Sequence, residues 1–335
     1  MRVLILGGTR EARDLAAALV DAALIDELSF TVTTSLAGRV SDPALPAGET
    51  VIGGFGGVAG LRAFLRTRGI DVVVDATHPF AATMSAHAVA ACASTSVDEE
   101  PGGQAAAPEP APARAHSPLA QPSPAEPGPA EGSAAPGPTG PGPTKGSTGE
   151  GSPSGDRQHE DGYGGDRPRE GGAVPLLRLA RPGWTRRPGD DWHRVPHLAA
   201  AAERARALCP PGSAVFVTTG RRQLAPFAAD PDRHYVIRAV DPPADLLPTR
   251  HTVLLDRGPY TIDGETRLLR DHRIRVLVTK DSGGDLTVAK LDAARALGLP
   301  VVMVDRPTVT GPVPPTWPNV DGVLAALREL ASAVA

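Results

Sequence analysis

The chain has 335 residues, 41% of them hydrophobic and 21% charged, with a formal net charge of −4 and two cysteines. That is the composition of a globular protein of about two domains. It excludes a disulfide scaffold or an extended basic nucleic-acid binder, and no apolar run of ~18 residues offers a membrane span. The first residues, Met1-Arg2 and a short apolar run ending at Gly7-Gly8, lack the apolar segment and cleavage site of a signal peptide. With Cys92 and Cys209 both in Ala-rich helical patterns, a reducing cytoplasm is expected.

In chain order the first unit is "MRVLILGGTREARDLA", a strand Val3–Leu6 entering a glycine turn and a helix Arg10–Leu24. The turn keeps the first glycine of a dinucleotide fingerprint, Gly7, followed by Gly8. Thr9 stands where the second is expected, and Ala12 takes the third position. Thr9 can cap the helix, and the helix N-terminus favours an anion. Many strand–turn–helix units bind nothing, so the turn alone does not decide. A second strand, Phe30–Thr34, ends in Thr34-Ser35-Leu36-Ala37-Gly38-Arg39. An NAD site usually carries a carboxylate at this point. Hydroxyls and Arg39 suit a 2′-phosphate instead, hence NADPH over NADH; a solvated arginine in a polar loop is the competing reading.

Further along lie helix Val58–Arg68, strand Val72–Asp75, the stretch Thr77-His78-Pro79-Phe80 and helix Ala81–Ala93. His78 is as well suited to bonding a neighbouring loop as to meeting a ligand. Residues 94–172 then change character. They hold 15 Pro and 16 Gly, with only Val97, Leu119 and Tyr163 as large apolar residues. Such a stretch cannot bury enough apolar surface to offset its ordering entropy, and its composition predicts disorder. It carries 12 acidic and 5 basic residues, so the rest of the chain is slightly basic. An inert solvated insert is the simpler reading, and a partner-binding Pro-rich segment the other.

After the insert come strands Leu176–Leu179, Ala214–Thr218, Tyr235–Ala239, Val276–Thr279 and Val301–Val304. Helices Leu198–Leu208, Asp285–Leu297 and Val320–Ala331 lie among and after them. Solidly apolar strands separated by helices imply parallel sheets covered on both faces. The fold expected is α/β, with two Rossmann-like parallel-sheet domains facing a cleft. One comprises 1–93 with 173–190, the other 191–335, and the insert lies outside both. Polar residues collect at strand C-termini in the second half too: Thr219-Gly220-Arg221, and Lys280-Asp281-Ser282-Gly283. Open α/β sheets bind ligands at such ends. Lys280 is one of three lysines among 34 basic residues, and with Ser282 and Gly283 it suits an anionic group. No Walker loop, G-x-S-x-G elbow or Cys/His metal spacing is present.

The segments "ILGGTREARDLA", "TSLAGR", "DVVVDATHPFA", "LLRLARPGW", "VFVTTGRRQL", "LLDRGPYTIDGE" and "VLVTKDSGGDLTVAKLDAARALGLPVVMVDRP" resemble the precorrin-6A reductases of cobalamin biosynthesis. They run in order along nearly all of the chain outside the insert. "DATHPFA" and the "TKDSGG" turn are the specific ones. Two departures stand out: Ala12 where the family often has Gly, and the insert itself.

The resemblance implies NADPH-dependent reduction of a ring-D double bond of precorrin-6A, or of its cobalt form, a tetrapyrrole rich in carboxylates. The hydride comes from the cofactor, so no side chain need be a nucleophile. The matching proton can come from water, and no catalytic residue is assigned. Gly7, Gly8, Thr9 and Arg10 would take the pyrophosphate; Ser35 and Arg39 would take the 2′-phosphate side, with Thr34 adjacent. Thr77, His78 and Pro79 would border the nicotinamide. Thr219, Gly220, Arg221, Lys280, Ser282 and Gly283 would face the cleft and hold substrate carboxylates or close over the cofactor. No metal, nucleic-acid or membrane partner is implied. A reductase of another unsaturated substrate and a non-catalytic NADP(H) sensor with a recruiting insert are the rival readings.

Overall fold

The computed structural model describes residues 1–25, 29–38, 45–93, 172–308 and 311–334. Arg39 and residues 94–171 of the insert lie outside them. In chain order the first elements are β1 (Arg2–Leu6), α1 (Arg10–Ile25), β2 (Thr31–Leu36), β3 (Glu49–Ile52), α2 (Gly57–Thr67), β4 (Val72–Asp75), α3 (Ala82–Cys92) and β5 (Leu176–Leu179). Next come β6 (Trp192–Val195), α4 (Leu198–Leu208), β7 (Ala214–Val217), α5 (Ala225–Ala228), β8 (His234–Ala239), β9 (His251–Leu255) and α6 (Ile262–Asp271). The last are β10 (Ile274–Lys280), α7 (Ala289–Ala296), β11 (Val301–Val304), β12 (Thr316–Trp317) and α8 (Val320–Val334). A 3₁₀ turn, Asp285–Thr287, precedes α7, so the single helix expected over 285–297 is two pieces.

Among the described residues the strands form two six-stranded sheets, ordered β12-β5-β4-β1-β2-β3 and β6-β11-β10-β7-β8-β9. Every pairing is parallel, as the unbroken apolar runs require. Val3, Leu4 and Ile5 of β1 are wholly buried, and so are Val215, Phe216 and Val217 of β7. Such residues have no solvent side because helices cover both faces. On the first sheet α1 and α8 cover one face, packing Leu15, Leu19, Val323 and Leu327 on Val3, Ile5 and Val74. Leu61, Leu65 and Ala88 from α2 and α3 cover the other. On the second sheet α4 packs against one face, and α7 with Leu269 of α6 against the other.

Chain order and sheet membership part company near the C-terminus. The boundary at 190/191 assigns everything from 191 onward to the second half, but β12 pairs with β5 and α8 packs on α1 in the core of the first sheet. The correction has a physical cause: α1 leaves an apolar stripe beside β5 that α8 fills, with Val323 and Leu327 wholly buried. The chain therefore crosses from the first sheet to the second between β5 and β6, and returns between β11 and β12.

Candidate active site

In each sheet the strand order reverses at one point. In the first, β1, β2 and β3 run outward and β4 begins on the other side of β1; in the second, β7, β8 and β9 run outward and β10 begins on the other side of β7. Ligands of open α/β sheets bind outside the strand C-termini at these reversals. The described candidate residues of the first half, Arg39 not being among them, lie at and beside the β1/β4 reversal. Gly7 donates its N–H to the Ser35 carbonyl at 2.9 Å, and a Cβ there would sit 2.8 Å from Thr34 Cγ2. Glycine thus lets the end of β1 press against β2. Gly8 follows at φ +109° with open space above it. The Thr9 hydroxyl donates to the Ala76 carbonyl at 2.8 Å and accepts from Ala12 N–H at 3.1 Å, capping α1 and tying it across the reversal. Its hydroxyl is therefore engaged within the protein. Arg10 pairs with Asp14 at 3.3 Å in the open.

Thr34 is wholly buried, and its hydroxyl has no hydrogen-bond partner among the described residues. Ser35 is buried beside it. Thr77 donates to the buried Asp75 carboxylate twice, from its N–H at 3.1 Å and its hydroxyl at 2.6 Å, which fixes the turn leaving β4. His78 Nδ1 accepts from Phe80 N–H at 3.2 Å, a bond within its own turn rather than to a neighbouring loop. Burial lowers its pKa from 6.5 to about 4, and the charges of Arg181, Lys280 and Arg306 add to the effect while Glu11 opposes it. The imidazole is neutral near pH 7. A narrow crevice opens here, lined by Thr9, Glu11, Thr77, Pro79 and Arg181.

The other set gathers at the β7/β10 reversal. The Thr219 hydroxyl is buried without a partner among the described residues, Gly220 turns at φ +88°, and Arg221 pairs with Asp241 at 3.4 Å. Lys280 ends β10 with its ammonium 5.3 Å from the centre of the Phe80 ring, contributed by the first sheet's turn. Burial lowers its pKa, and it has no salt bridge among the described residues. Ser282 and Gly283 do something more specific than line a cleft. Gly283 adopts φ +67°, and a Cβ there would lie 2.0 Å from the Pro182 carbonyl oxygen, so only glycine lets this loop close on the crossover after β5. The Ser282 carbonyl accepts from Arg181 Nε at 2.7 Å.

Residues that local sequence reading did not single out hold this junction. Arg181 pairs with Glu11 at 2.7 Å. Arg306, on the return crossover, donates to the Arg181 carbonyl at 2.8 Å and the Asp281 carbonyl at 2.9 Å. The Asp281 carboxylate accepts from Trp184 N–H at 3.0 Å and Arg194 at 2.9 Å. Partners 170 residues apart, as Arg181 and Glu11 are, leave no signal in spacing.

The family described as precorrin-6x reductase CbiJ/CobK matches residues 2–99 and 170–328. The chain belongs to the precorrin-6x reductase family. It is 39% identical to the precorrin-6A reductase of Rhodococcus erythropolis, over 97% of this chain and 96% of that one. With the enzyme of the same name from Rhodobacter capsulatus it shares 35%, over 98% and 96%. A solved structure, CobK precorrin-6A reductase, superposes with a TM-score of 0.67 at 34% identity, covering 98% of this chain and 96% of that one. As a member of this family the protein is an oxidoreductase, which implies a nicotinamide cofactor. The residues present fit one: the open Gly7-Gly8 turn, the crevice at the reversal and the unpartnered Thr34 hydroxyl lie where a dinucleotide would run. The family match passes over residues 100–169, so the insert is an addition to the shared fold. Among the described residues no helix is long and apolar enough to cross a membrane.

Proposed function

We propose that this protein reduces a ring-D double bond of precorrin-6A, or of its cobalt form, with hydride from NADPH, as a step of cobalamin biosynthesis. The likeness to precorrin-6A reductases along nearly the full length of both chains carries the substrate assignment. NADPH is supported by the end of β2, which offers the Thr34 hydroxyl and Ser35. Arg39 follows three residues beyond β2, as a 2′-phosphate site needs. Gly7, Gly8, Thr9 and Arg10 hold the pyrophosphate at the start of α1, and Thr77, His78 and Pro79 border the nicotinamide.

The nicotinamide supplies the hydride, and the protein's own residues orient both reactants. Lys280, lacking a carboxylate partner of its own among the described residues, and Thr219 with its unpartnered hydroxyl hold substrate carboxylates, with Gly220 and Arg221 beside them. A neutral His78 keeps the nicotinamide border free of an extra positive charge, and the turn tied by Thr77 to Asp75 holds that border in place. The test is an anaerobic incubation of the purified protein with precorrin-6A and NADPH, followed by product mass and by loss of cofactor absorbance. A gain of two hydrogens matched to NADPH oxidation, with NADH much less effective, is the expected result. Cofactor binding with neither the metal-free nor the cobalt substrate reduced would refute the assignment.

A further inference from the structure

Glu11 stands in an unusual place. It lies in the first turn of α1, where the helix dipole favours negative charge, beside the turn assigned to the cofactor's pyrophosphate. A carboxylate there repels a phosphate unless a cation intervenes. That cation is Arg181, the second residue past β5, whose side chain lines the same crevice as Thr9, Thr77 and Pro79. Its Nη1 meets Glu11 Oε2 at 2.7 Å while its Nε donates to the Ser282 carbonyl at 2.7 Å. Both carboxylate and guanidinium are largely shielded, with side-chain exposures of 24% and 18%. Burial raises the Glu11 pKa, but the hydrogen bond and charge of Arg181 prevail and hold the carboxyl below its ordinary range.

An arginine presents separate donors on a planar fork. One edge can exchange partners while the other stays fixed. The fixed edge grips the loop that follows Lys280, and the Arg181 carbonyl is held by Arg306 from the return crossover, so the backbone of Arg181 is anchored. The exchangeable edge faces the crevice.

We propose that Glu11 is a resident stand-in for the cofactor's phosphate, and that Arg181 exchanges it for the bound dinucleotide. Arg181 thereby acts as a positioning residue that communicates cofactor occupancy to the Lys280 loop. The proposal rests on the reductase reading of the crevice as the cofactor site. It makes a prediction of sign. If the pair were only structural, removing the Glu11 charge would weaken or leave unchanged the binding of NADPH. If Glu11 competes with phosphate for Arg181, removing its charge strengthens binding.

The experiment measures NADPH affinity by fluorescence titration of the full chain and its Glu11→Gln and Arg181→Gln variants. It also follows backbone hydrogen exchange over 281–288 with and without saturating NADPH. Glu11→Gln is expected to bind NADPH roughly three- to tenfold more tightly, the net range of one ordinary hydrogen bond, and Arg181→Gln about tenfold or more weakly, as loss of one charge-assisted hydrogen bond gives. In the wild type NADPH slows exchange over 281–288; in Arg181→Gln, at saturation, it does not. Glu11→Gln leaves the bond from Arg181 to Ser282 in place, so it tests the idea even if Arg181→Gln fails to fold. Unchanged or weakened NADPH binding by Glu11→Gln overturns the exchange, as does an equal exchange response in Arg181→Gln. A wild-type protein that binds NADPH normally, with either of those results, leaves the reductase reading standing and removes only this inference. A wild type that binds no nicotinamide dinucleotide removes both.

Discussion

At His78, burial and three neighbouring cations act in one direction. The folded state holds its pKa near 4 against 6.5 for an accessible imidazole. Between those values the unfolded chain binds the extra proton and the folded chain does not, so stability rises with pH across this window. Above about 6.5 the group makes no further difference; below about 4 the whole penalty applies, on the order of 3 kcal/mol at about 1.4 kcal/mol per factor of ten. His78→Asn keeps a side-chain acceptor for Phe80 N–H and cannot titrate there. Urea midpoints taken from pH 4 to 7 should show a shallower slope for the variant, and an unchanged slope would remove His78 as the cause. Individual residues were legible from sequence to differing degrees. The capping role of Thr9 follows from its place three residues before Ala12, whereas the close approach that Gly7 permits is to Thr34, on the next strand. Lys280 could be noticed because lysine is rare in this chain. Glu11, Arg181 and Arg306 could not, since each acquires its role from a partner brought near by folding alone.

Among the elements, the eight strands anticipated from apolar runs are the interior strands of the two sheets, and the four that were not, β3, β6, β9 and β12, are their edges. An edge strand pairs on one side only and stays partly in water. Glu49 and Ile52 of β3, and His251 and Leu255 of β9, are exposed, and β12 is two residues long. Without continuous apolar sequence there is no signal to read, and short polar edges also discourage pairing with other chains. Helix α6 escaped notice for a related reason: of its ten residues only Glu265 and Leu269 are buried, and that glutamate pairs with the buried Arg238. Helix α8 was visible as a helix, but its destination was not. Leu327→Ala tests that destination. It should destabilise the protein by roughly 2–5 kcal/mol in chemical unfolding, as deletion of a fully buried leucine does. Because Leu327 packs on the β1–α1 unit, NADPH should protect the variant's first sheet from proteolysis less well than in the wild type. A loss confined to the second sheet would contradict the packing described.

Across the whole molecule, the ends of the insert are held together by the body of the protein. Val174 N–H donates to the Cys92 carbonyl at 3.0 Å and Val73 N–H to the Pro175 carbonyl at 2.9 Å, so the chain leaves α3 and enters β5 at nearly the same place. Replacing residues 95–171 with about five Gly/Ser residues should keep the fold and NADPH binding. It should also raise stability by about 2 kcal/mol, since loop-closure entropy grows with the logarithm of length. Thermal unfolding and NADPH titration of the shortened chain check this, and lost cofactor binding would give the insert a role the fold does not require. The double crossing between sheets has a mechanical consequence. The first strand, β1, and the last, β12, both lie in the first sheet, so the second sheet hangs from the first as a closed excursion of the chain. A force applied between the two termini passes through β12, α8 and β1 before it reaches any strand of the second sheet. The second sheet, with Lys280 and Thr219 at its strand ends, is thereby shielded from tension on the ends, and would be the last part of the molecule to yield.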